Sequence, residues 1–188
     1  MNPTNDYASI IVTSYRHGER DKVARESFAS LFQNTTYPFE LCLTDNTHQN
    51  LGYPKGRNQA ATRAGGSYIV IADDDIIYQP GWLEECIAMV NLGDKFMATP
   101  VWQPRIGRWE LASVNGYRQN YRTGSNCMVM RRSAFDEIGP IDEISMRHAG
   151  TIYANKITRA GYTFLITKEP MAYDAGFGKP TYILTAYL

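Results

Sequence analysis

The chain has 188 residues, 44% of them apolar, and a formal net charge of zero. That length and apolar fraction suit one folded domain with a sizeable core and exclude a disordered chain. Balanced charge writes no general pull toward nucleic acid or an anionic membrane into the chain, and no run of about 18 apolar residues is present to span a bilayer.

The N-terminus "MNPTNDYAS" is polar and lacks the apolar run of a signal peptide. "YASIIVTS" (7 to 14) then reads as a buried strand ending in small polar residues. "DKVARESFASLFQN" (21 to 34) places Ala24, Phe28, Leu31 and Phe32 on one helical face. "FELCLTDN" (39 to 46) is a second strand, and "GRNQAATRAGG" (56 to 66) a short alanine-rich helix closed by glycines. "SYIVIAD" (67 to 73) is a third strand. "PGWLEECIAMVN" (80 to 91) opens on proline and repeats Leu83, Cys86, Ile87 and Val90 at helical spacing. "KFMATPV" (95 to 101) is a fourth strand. Strands separated by helices imply right-handed crossovers and a mainly parallel sheet, so the expected class is α/β with helices flanking the sheet.

The second half changes character. "WELASVNGYRQNY" (109 to 121) reads as strand and turn, with Asn115-Gly116 at a hairpin corner. "GSNCMVMRR" (124 to 132) is a strand, and "SAFDEIG" (133 to 139) a short helix with a serine cap and a glycine stop. "TIYANKITRAG" (151 to 161) is a helix ending at Gly161, followed by the strand-like "YTFLITKE" and "MAYDAG". No repeat or linker is evident, so a single domain is expected. Between Val101 and Phe135, six arginines (Arg105, Arg108, Arg118, Arg122, Arg131 and Arg132) stand against one acid, Glu110. They form either a solvated loop region or a surface facing an anionic ligand. Cys42, Cys86 and Cys127 sit singly among apolar neighbours without metal spacing, as reduced core thiols do, and a cytoplasmic location follows most simply.

The chemistry gathers at "SYIVIADDDIIYQPGWL" (67 to 83), where a buried strand runs into three aspartates. Two unit charges about 5 Å apart repel by roughly 3 kcal/mol at an effective dielectric near 20, so water, a helix N-terminus or a cation must offset them. In an extended segment Asp73 and Asp75 share a face while Asp74 points away. Two carboxylates aimed at one spot suit Mg²⁺ or Mn²⁺, which can bridge the phosphates of a nucleotide. A capped turn before the helix at Pro80 is the plainer explanation of the same residues. Open parallel sheets bind ligands beyond the carboxyl ends of their strands. Three such ends are polar here: Thr13-Ser14-Tyr15, Asp45-Asn46-Thr47 and Asp73-Asp74-Asp75.

In order along the chain, "SIIVTSYR", "FELCLTDN", "GYPKGRNQA", "GGSYIVIADDDI" and "PGWLE" resemble family 2 of the glycosyltransferases, which adopt the GT-A fold. "GSNCMVMRRSAFDEIGPIDE" (124 to 143) and "KITRAGYTF" (156 to 164) resemble the family's later segments more loosely. The resemblance implies one GT-A domain, with about 1–100 holding a nucleotide-sugar and about 101–188 facing the acceptor. It implies that Thr13 and Asp45 meet the nucleotide base, that a carboxylate at Asp45 accepts the N3–H of uracil, and that Arg57 lies near the diphosphate. Tyr15 can stack on the base. Ser14, Asn46 and Asp74 join the nucleotide-sugar site as their neighbours. Asp73 and Asp75 match the D-x-D pair, with the last acid on the metal and the first toward ribose and metal.

Two departures stand out. Inverting members carry an acidic pair before the late helix, one of whose carboxylates takes the proton from the acceptor hydroxyl. Here "SMRHAGTIYANK" (145 to 156) contains no acid. His148 lies near the expected position, and Asp142 and Glu143 are the nearest acids upstream; all three are candidate bases, and all three are also ordinary cap and turn residues. Where the family often has a late metal-reaching histidine, the chain has Asp174, either a further oxygen ligand or the head of a turn. The expected activity is metal-dependent transfer of a sugar from a nucleoside-diphosphate donor, UDP foremost, to a hydroxyl acceptor: a glycan, a lipid-linked or a small molecule. Trp102, Trp109 and the arginines mark the acceptor side. A degenerate domain that binds the donor without transferring it is the first alternative. A nucleotidyltransferase is the second, less supported because "TSYRHGERDK" offers one glycine after the first strand.

Overall fold

The computed structural model describes residues 6–49, 51–100, 110–120, 126–143, 148–169 and 171–175. The first half alternates strand and helix: β1 (Ala8–Ser14), α1 (Glu19–Asn34), β2 (Phe39–Asp45), α2 (Tyr53–Ala61), β3 (Tyr68–Ala72), β4 (Ile76–Tyr78), α3 (Trp82–Val90) and β5 (Phe96–Thr99). The second half holds the hairpin β6 (Glu110–Val114) and β7 (Tyr117–Asn120), then β8 (Cys127–Arg131), α4 (Arg132–Ile138), α5 (Ala149–Arg159), β9 (Thr163–Ile166) and β10 (Ala172–Asp174).

One sheet runs in the order β2-β1-β3-β8-β5-β9-β7-β6, and β10 pairs with β4 in a small second sheet. β1 lies parallel to both β2 and β3, and β5 parallel to β9. The expected mainly parallel α/β sheet is therefore present, with β8 reversed between β3 and β5. Its reversal has a local cause. The chain enters β8 at the rim where β3 leaves, since the Asp73 N–H donates to the Asn126 carbonyl at 2.8 Å, so β8 can only run back.

β1 explains why its sequence is a continuous apolar run. Ile10 and Val12 join the cluster formed with Leu31 of α1 and Leu83, Cys86 and Val90 of α3. Ile11, pointing the other way, joins Ala60 of α2, Ala134 of α4 and Tyr153 and Ile157 of α5. A strand covered on both faces has no solvent side to mark with polar residues. The three cysteines are buried and free, as expected. The Asn115-Gly116 corner forms with φ of 50° and 83°, the left-handed pair that a two-residue hairpin requires.

Several boundaries move. α2 starts at Tyr53, using Pro54 in its first turn, and ends at Ala61, so Gly65 and Gly66 lie beyond it. α3 starts at Trp82 behind a left-handed Gly81, leaving Pro80 in the preceding turn. α4 begins one residue before Ser133, with Arg131 at its cap position and no side-chain cap, so the serine cap is not used; Gly139 does end the helix. β4, three residues directly behind the aspartates, is an element that the sequence reading lacks; its pairing with β10 makes it a strand. Gly56 on α2 sits where a Cβ would lie 2.5 Å from Thr13 Cγ2, so only glycine lets α2 approach the end of β1 this closely.

Candidate active site

Parallel pairing puts Ser14 opposite Asp45 and Val12 opposite Ala72, so β1, β2 and β3 end on one rim. The aspartate triplet follows β3 directly. It does not stay extended: Asp74 and Asp75 form a turn into β4. The expectation that Asp74 points away is therefore corrected. Its side chain is turned inward and is 7% exposed. Asp74 Oδ2 accepts from the Ser14 hydroxyl at 2.7 Å and from the Tyr15 N–H at 3.2 Å. Two donors at the end of β1 hold the middle carboxylate, and the outer acids flank it.

Asp73 is anchored from the other side. Arg57, 1% exposed on α2, donates to Asp73 Oδ1. The same guanidinium donates to the Tyr53 hydroxyl at 2.5 Å and lies 4.0 Å from the centre of that ring. Arg57 is thus engaged by Asp73 and Tyr53 in the buried floor of the site.

A cavity of about 320 Å³ opens at this rim, lined by Thr13, Tyr15, Arg20, Asn46, Gly52, Tyr53 and all three aspartates. Tyr15 is 39% exposed at this wall, and its ring centre lies 4.9 Å from that of His17. Thr13 Oγ1 is buried with no hydrogen-bond partner among the described residues. Asn46 is a tether: its N–H donates to the Ser14 carbonyl at 2.7 Å, and its side chain accepts from Leu51 N–H at 3.3 Å. Tyr53 and Arg20 were not singled out from sequence. Tyr53 lies within "GYPKGRNQA", where Arg57 drew the attention, and both residues reach the cavity from the first turns of helices.

Asp45 lies beside this cavity rather than in its wall. It lines a neighbouring cavity of about 460 Å³ with Arg16, His17, Asp21, Arg25, Thr47 and His48. Hydrogen bonds from the Thr47 hydroxyl and N–H, then from Arg16, lower its pKa from 3.8 to about 2. A lowered folded value means that the ionised form is favoured. Any stabilisation from these bonds is complete above the unfolded value and is lost as pH falls through about 2. Asp45 is accordingly an acceptor-only carboxylate at neutral pH. A carboxyl-carbon NMR titration should place its midpoint near 2, and Thr47→Ala should raise it.

None of the three candidate bases is among the residues that line the aspartate cavity. His148 is exposed at the cap position of α5, where its carbonyl accepts from Ile152 N–H at 2.9 Å. Asp142 faces Lys156 at 3.9 Å. Glu143 accepts from Asn58 Nδ2 at 3.0 Å, and Asn58 also clasps Ile141 through its N–H and carbonyl. Arg57 and Asn58 are neighbours on α2, so one helix holds both Asp73 and the turn bearing Glu143.

Arg131 and Arg132 belong to the opposite rim. Arg131 pairs in register with Tyr68, the first residue of β3, and reaches Asp94 at 2.9 Å. Arg132 donates to the carbonyls of Gly66 and Ala64. Trp102, Trp109, Arg105, Arg108 and Arg122 lie outside the described residues, and for Arg118 the strand placement alone is described.

Among the described residues, no three His, Cys, Asp or Glu side chains form a ready metal cage. The donor set still fits a hard divalent cation. Asp73 and Asp75 both line one cavity, and Mg²⁺ or Mn²⁺ commonly completes its shell from phosphate and water. β10 adds a third acid by its backbone: Asp174 pairs with Ile76, and Ala175 N–H donates to the Asp75 carbonyl at 2.7 Å.

The model of the glycosyl transferase family 2 matches residues 46–139, half of the chain. No curated protein gave a significant sequence match. Among solved structures, residues 1–349 of TarS from S. aureus superpose with a TM-score of 0.67 at 16% identity, covering 89% of this chain and 60% of that one. GalNAc-T7, solved with UDP, GalNAc and Mn²⁺, gives 0.69 at 14% identity, covering 94% and 46%. A second TarS structure gives 0.66 at 14% identity, covering 90% and 37%. The chain thus spans less than two thirds of the length of these structures, and at such identities the likeness establishes the fold.

Proposed function

The chain belongs to glycosyl transferase family 2 and has the GT-A fold, and from that premise we propose that it transfers a sugar from a nucleoside-diphosphate donor, UDP-sugar foremost, to a hydroxyl acceptor with a divalent cation. One observation carries the reading: the ends of three parallel strands bring Tyr15, Asp73, Asp74 and Asp75 around one cavity, with Asp45 beside it. GalNAc-T7, solved with UDP and Mn²⁺ on the same fold, supports the choice of ligands.

In this reading Tyr15 stacks on the base, Asp45 accepts its ring N–H, and Thr13, Ser14 and Asn46 shape the pocket between base and diphosphate. Asp73, held by Arg57, faces the ribose and the cation, and Asp75 is the principal cation ligand, with Asp174 as the third. When bound, the cation offsets the charge that gathers on the departing diphosphate. The acceptor oxygen attacks the anomeric carbon, the bond from that carbon to the phosphate oxygen breaks, and the nucleoside diphosphate leaves with the electron pair. Attack opposite the leaving group inverts the centre. Of the three candidate bases, His148 is proposed to take the hydroxyl proton, because Asp142 faces Lys156 and Glu143 is bound by Asn58. Residues 1–100 would then hold the donor and 101–188 the acceptor.

A second reading is favoured by the missing acidic pair: a domain that binds the donor without moving the sugar. Incubation of a panel of UDP- and GDP-sugars with Mn²⁺ separates the two. Free sugar or glycoside is the expected product. Nucleotide uptake with no sugar released favours the binding module, and no uptake of any nucleotide would overturn both.

A further inference from the structure

We propose that Arg20, on the first turn of α1, is the side chain that grips the diphosphate of the donor; the assignment rests on the donor site proposed above. Sequence resemblance points to Arg57 for this role, but Arg57 is buried beneath the cavity, its guanidinium engaged by Asp73 and stacked on Tyr53. It is not among the residues of the cavity wall, whereas Arg20 is, and Arg20 is the one cation lining that wall among the described residues.

Arg20 is also held loosely. Its Nη2 stands 3.8 Å from Asp74 Oδ1, and its side chain is 44% exposed. Asp74 does not depend on it, because Oδ2 already accepts from Ser14 and Tyr15. The guanidinium is therefore placed beside the triplet without being spent there. Its planar fork of N–H donors matches two phosphate oxygens, which would bind it more strongly than one carboxylate oxygen at that distance. Three carboxylates around one cavity would repel a diphosphate. A cation that offsets Asp73 and Asp75 leaves Asp74 uncompensated, and Arg20 stands beside that acid.

The test compares uridine with UDP, both with Mn²⁺, by calorimetry on the full chain. Arg20→Gln should weaken UDP about ten-fold or more while uridine binds as before. Arg20→Lys, a point charge without the fork, should recover part of the loss. Unchanged melting temperature of Arg20→Gln would show that the fold is intact. If Arg20→Gln keeps the wild-type ratio of UDP to uridine affinity, the assignment to Arg20 is overturned while the donor site stands. If the wild-type protein takes up neither UDP nor GDP, the donor-site reading falls and this assignment falls with it.

Discussion

Asp75→Asn should abolish the Mn²⁺-dependent part of UDP binding and lower sugar release or transfer by about 10²–10³-fold. The substitution keeps the size of the side chain and removes its charge. Asp75 lines the cavity at the turn from β3 to β4, and its carbonyl is bound by Ala175 N–H, so the backbone that carries it is fixed. A neutral amide is a poor ligand for a hard cation and supplies no countercharge for the diphosphate. Asp73→Asn should cost less, because one oxygen of Asp73 is already used by Arg57. The measurement is UDP affinity with and without Mn²⁺ for each variant. Equal Mn²⁺ dependence in Asp75→Asn and wild type would remove Asp75 from the cation site.

Arg57→Met is expected to cost about 2–3 kcal/mol of stability, toward the low end for a broken buried pair because Asp73 keeps 28% side-chain exposure. The reason lies in what remains. Methionine fills most of the space under the cavity but leaves the Asp73 carboxylate and the Tyr53 hydroxyl without the donor that both share. Adding Asp73→Asn should restore part of the loss, since the stranded charge disappears, and the coupling is read from the double-mutant cycle. Urea unfolding checks this. A single mutant within about 0.5 kcal/mol of wild type would mean that the pair contributes little.

Much of the fold was legible in local pattern. The apolar runs of β1 and β3, the helical stripe Leu83-Cys86-Ile87-Val90 and the Asn115-Gly116 corner each state their element within a few residues. Helix starts were less legible. Ser133 has the chemistry of a cap, yet α4 begins before it, because the register of β8 places Arg131 at the sheet's end and Arg132 N–H bonds Ser67. Tertiary pairing overrode local capping preference there. The burial of the three cysteines was also legible, since each stands among apolar neighbours in the chain.

For the site, position was legible and orientation was not. That three strands end in polar clusters, with carboxylates crowding one of them, follows from the order of residues alone; strand periodicity and the parallel connection suffice for that. Which way each acid turns depends on contacts made in the folded chain. Asp74 is drawn inward by Ser14, 60 residues away, and Asp73 is held by Arg57 from a different helix. Asp45 leans toward Arg16 and Thr47 into the adjoining cavity, and Arg20 reaches the triplet from α1. A carboxylate turns toward whichever donors the folded chain sets beside it, and hydrogen bonds between residues far apart in sequence leave no local pattern to read.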